Sequence, residues 1–157
     1  MGDTSNITHI GTYSFRDCTA FDNTEWYVFP SAQVTGASPF MGSNIRKIVL
    51  GENLTVVSSI LTDDRTPVST VVLLAKTPPQ LVNGQSYDNY TGGSRWNLLH
   101  RYKIYVPDEA WTDYIQDEEW GKLVSADYIG NNPSNLFKIS ELPNEEKVAL
   151  RAKGLDI

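Results

Sequence analysis

Four short runs of apolar residues punctuate the chain: Trp26-Tyr27-Val28-Phe29, Ile48-Val49-Leu50, Val71-Val72-Leu73-Leu74 and Ile104-Tyr105-Val106. Turn formers follow each of them: Pro30, Gly51, the group Thr77-Pro78-Pro79, and Pro107. Runs of this length, rich in β-branched and aromatic residues, predict strands. Between them the spacing changes. After Ile7 and Ile10, the residues Phe15, Cys18 and Phe21 recur every third position. That spacing predicts tight helical or 3₁₀ turns facing one core, with Cys18 inside it. The pattern then returns. Phe40 lies 25 residues after Phe15, Ser43 lies 25 after Cys18, and Val72 lies 23 beyond Val49. A period in the twenties predicts a solenoid with one short strand per turn.

The second half reads differently. Residues 83–97 are polar and rich in glycine and tyrosine, which predicts a loop. Residues 102–106 are expected to be the last strand. Pro107-Asp108 predicts a helix start, with Asp108 as its cap. Trp111, Tyr114 and Ile115 would share the inner face of this helix, and Trp120 and Leu123 would extend the apolar surface. Asn131-Asn132-Pro133-Ser134 breaks the chain. A final helix is expected after Pro143-Asn144, carrying Val148 and Leu150 and stopped by Gly154. The expected organisation is a capped domain over 1–129 and a tail over 130–157 available to dock on a neighbour.

These residues resemble the BspA-like leucine-rich repeats. The family turn is similar to Ile-x-x-Ile-Gly-x-x-Ala-Phe-x-x-Cys-x-x-Leu. Ile7, Ile10, Gly11, Phe15 and Cys18 match it, while Ser14 and Phe21 depart from it. Phe40, Ser43 and Ile48 resemble a degraded second turn. Val71-Val72-Leu73 with Thr77-Pro78-Pro79 resembles the strand and turn near the family's C-terminal end. Ile104-Tyr105-Val106-Pro107 with Tyr114, Trp120 and Ile129 resembles its cap. The resemblance implies an α+β fold: a short, irregular leucine-rich-repeat-like solenoid with a small β-sheet and a C-terminal helical cap. It also implies adhesion or protein binding at a bacterial surface or in a phage-encoded protein, without catalysis.

Composition narrows the classes further. The 157 residues are 40% hydrophobic with a net charge of −6, a folded and mildly acidic composition. No basic run is present to follow a phosphate backbone, so nucleic acid is not an expected partner. Cys18 is the only cysteine, which excludes an internal disulfide and a thiolate metal cluster. No run reaches the length of a membrane span, and the polar start 1–6 has no signal-peptide core. Asn6, Asn53 and Asn89 lie in Asn-x-Thr sequons, which matter only in a eukaryotic secretory pathway.

The candidates for chemistry are few. His9 and His100 could pair with Asp63, Asp64 or Asp88 on a metal, but no ligand spacing supports it. The adjacent acids Asp63-Asp64 could act on a glycosidic bond, yet they sit in a turn sequence. Asp108-Glu109 and Glu118-Glu119 suit helix ends and solubility. Gly42, Gly51 and Gly92-Gly93 form no nucleotide loop. Tyr87, Tyr90 and Trp96 remain, offering rigid amphipathic area in a loop that Gly92-Gly93 lets adapt. They are the expected ligand- or partner-binding residues, with no cofactor and no metal. The expected function is a non-enzymatic protein-interaction or structural module of a virion or cell-surface assembly, bound to protein subunits or a host surface protein. The alternative is a carbohydrate-binding adhesin domain.

Overall fold

The computed structural model describes residues 4–58, 68–81, 103–123 and 135–157. The chain passes back and forth between two parallel sheets. β1 (His9–Ile10), β3 (Val34–Thr35), β5 (Val56–Val57) and β7 (Gln80–Leu81) form a four-stranded sheet in that order. β2 (Trp26–Phe29), β4 (Lys47–Leu50), β6 (Thr70–Leu73), β8 (Lys103–Val106) and β9 (Leu136–Lys138) form a five-stranded one. Two helices follow β8: α1 (Trp111–Gln116), entered through a 3₁₀ turn at Asp108–Ala110, and α2 (Asn144–Ala152).

The five-stranded sheet is apolar on both faces, which explains the uninterrupted hydrophobic runs. Tyr27, Phe29, Ile48, Leu50, Val71, Leu73, Ile104 and Val106 point between the sheets. Trp26, Val49, Val72 and Tyr105 point the other way, onto Leu142 and Leu150 of the C-terminal segment. The pairing is in register, with Val28 beside Val49 and Val49 beside Val72. The four-stranded sheet instead turns Ile10, Val57 and Leu81 inward and leaves His9 and Gln80 in solvent.

This architecture corrects the leucine-rich-repeat expectation. A leucine-rich repeat has one strand per turn and returns through a helical segment, whose extra width curves the stack. Here the return limb is also a strand, in a sheet of its own, and the two sheets are flat. The spacing near 25 records turn-on-turn stacking: Thr12 accepts from the Ala37 amide and Asn44 donates to Thr19, both 25 residues apart. The backbone repeats as well. Tyr13 and Asp17 have left-handed φ values of 57° and 54°, and Ser38 and Gly42, 25 residues on, have 46° and 69°. These left-handed residues stop the 7–21 segment from winding into a helix. Cys18 is half-buried rather than a core residue.

Other expectations are corrected in detail. β8 is not the last strand, because β9 pairs with it in parallel. Asp108 does not cap the helix after it: Pro107 precedes the 3₁₀ turn, and no side chain caps it. Of the three residues expected inward on α1, Tyr114 is buried, Trp111 is partly buried, and Ile115 is 36% exposed. The stop at Gly154 is a Schellman turn. Gly154, at φ 87°, donates to Arg151 O and Leu155 donates to Leu150 O.

The far end of the inter-sheet core is sealed by Tyr114 and Trp120, both 0% exposed. Their rings meet edge to face at 5.4 Å. The Tyr114 hydroxyl donates to Ala75 O at 3.0 Å, and Trp120 Nε1 donates to Pro79 O at 2.8 Å. Burial raises the Tyr114 hydroxyl above the usual tyrosine value of 10. Above that pH the unfolded chain loses this proton while the folded chain keeps it. Stability should therefore fall by about 1.4 kcal/mol per pH unit until the folded value is reached. Urea midpoints from pH 9 upward should show this slope, and Tyr114→Phe should remove that share of it.

Candidate functional site

The carboxyl ends of the five-stranded sheet open into a groove. Leu74 follows β6, Pro107 follows β8 and Ile139 follows β9, and together with Ile157 they give the groove an apolar floor. One wall is α2, which presents Lys147 and Arg151 one turn apart. The opposite wall carries Glu52, Lys76, Asp108 and Glu109. The groove is open to solvent, with a volume of about 700 Å³, and a neighbouring open depression of about 390 Å³ shares Glu52 and Lys76. Crevices at the carboxyl ends of parallel strands are common ligand positions because the chain there is loop rather than ladder.

The charged groups of this groove are largely engaged with one another or with the main chain. Asp108 Oδ1 accepts from the Ser140 amide at 3.0 Å. Lys147 Nζ donates to Ser140 O at 2.5 Å, and Arg151 Nε donates to Ile157 O at 2.7 Å. Lys76 pairs with Glu109 at 3.1 Å, with both side chains largely in solvent. Hydrogen bonds from Ser140, with Lys138 and Lys147 nearby, hold the Asp108 carboxyl below its ordinary range. The Glu109 carboxyl is lowered first by a hydrogen bond to its own amide, then by Lys76. For both acids any resulting stabilisation is present above the unfolded value and is lost as the pH falls through the folded one. Surface screening keeps that contribution small.

A second polar cluster clasps α2 to the sheet. Glu146 Oε2 accepts from Trp26 Nε1 and its Oε1 pairs with Lys47, each at 2.6 Å. The Lys47 ammonium lies 5.7 Å from the centre of the Trp26 ring. Lys153 pairs with Glu25 at 2.6 Å. Residues 135–157, within the segment expected as a docking tail, thus lie against the sheet of their own chain. The boundary expected at 129/130 falls outside the described residues.

Tyr87, Tyr90 and Trp96 lie outside the described residues, as do His100, Asp63, Asp64, Asp88 and Asn89. His9 is exposed, with its Nδ1 3.0 Å from the Thr8 hydroxyl. Among the described residues no group of three or more His, Cys, Asp or Glu side chains is placed to hold a metal ion. Nor is any helix among them long and apolar enough to cross a membrane. The sequence reading missed the groove because its lining comes from five separate segments, each unremarkable alone. The chain matches no family model, no curated protein and no solved structure. Neither the fold nor these comparisons supports membership of the BspA-like leucine-rich-repeat family.

Proposed function

We propose that this chain is a non-catalytic structural or protein-interaction module. The observation that carries this reading is the use made of the groove's charges. Asp108 ties the turn after β8 to the Ser140 amide of the C-terminal segment, while Lys147 and Arg151 brace that segment internally on Ser140 O and Ile157 O. A catalytic kit would aim such groups at a shared point where a reacting atom could sit. Here they bind segments of the framework to each other. The setting, a virion or a cell surface, belongs to the same proposal and rests on the sequence alone. So does the carbohydrate-binding alternative, through Tyr87, Tyr90 and Trp96.

The test has two arms. Cross-linking in an extract of the native source should recover the chain in a stoichiometric protein assembly. A panel of hydrolase and transferase substrates should show no turnover that depends on Asp108 or Lys147. Turnover abolished by Asp108→Asn or Lys147→Met, in variants that stay folded, would overturn the reading.

A further inference from the structure

We draw no further inference here: the strongest candidate, the open groove between the carboxyl ends of the five-stranded sheet and α2, belongs to the site already described, and with its charged side chains largely tied to one another or to the main chain nothing in the structure shows what would fill it.

Discussion

Trp120→Ala is expected to lower the unfolding free energy by about 3–5 kcal/mol through the cavity left at the sealed end. Trp120 is fully buried and packs edge to face on Tyr114. Its indole N–H also satisfies Pro79 O, and leaving that carbonyl unpaired in the core adds to the loss. Domains of this size have total stabilities of about 5–15 kcal/mol, so the variant should be marginal. Trp120→Phe separates the two contributions. It keeps most of the ring and loses the hydrogen bond, and should cost roughly 1–3 kcal/mol. Urea unfolding at pH 7 measures both. A loss under 1 kcal/mol for the alanine variant would mean that the seal does not hold the inter-sheet core together.

Deleting residues 139–157 should have a comparable or larger effect, with a different signature. It removes Leu142 and Leu150, both buried against Trp26, Val49, Val72 and Tyr105. The two leucines alone account for roughly 3–6 kcal/mol of burial. The deletion also exposes a flat apolar sheet face, with Val28, Leu74 and Phe137 at its margins. Contiguous apolar surface of this kind drives association. The truncated chain should bind a hydrophobic dye and aggregate, whereas Glu146→Gln, which weakens only the polar clasp, should remain soluble with a modestly lowered melting temperature. A soluble, dye-negative truncated chain would refute the covering role of the segment.

The strands of the five-stranded sheet were legible to the extent that they are apolar on both faces. Trp26–Phe29, Ile48–Leu50, Val71–Leu73 and Ile104–Val106 announce themselves because parallel strands covered on both sides read as unbroken runs. β9 was not legible: Leu136-Phe137-Lys138 is three residues long and follows a turn sequence. The whole four-stranded sheet was invisible for the same reason, since two-residue strands such as Val34-Thr35 have no period to read. Missing that sheet produced the leucine-rich-repeat reading. The spacing of Phe15 to Phe40 and of Cys18 to Ser43 reports that turns stack near a 25-residue interval, and says nothing of whether the return limb is a helix or a strand. The groove was illegible because Glu52, Lys76, Asp108, Ser140 and Arg151 meet only through the fold.

The clasp between the first and last parts of the chain has a kinetic consequence. In a stack whose turns touch only their neighbours, the ends can fray while the middle persists. Here Glu146 reaches back 120 residues to Trp26, and Lys153 reaches back 128 to Glu25. The segment carrying them also packs on residues of β4, β6 and β8. Loosening β2 therefore strips the cover from β4, β6 and β8, so the turns should be lost together in one transition. The same long-range closure raises the mean sequence separation of the contacts, which should place this chain among the slower folders of its size.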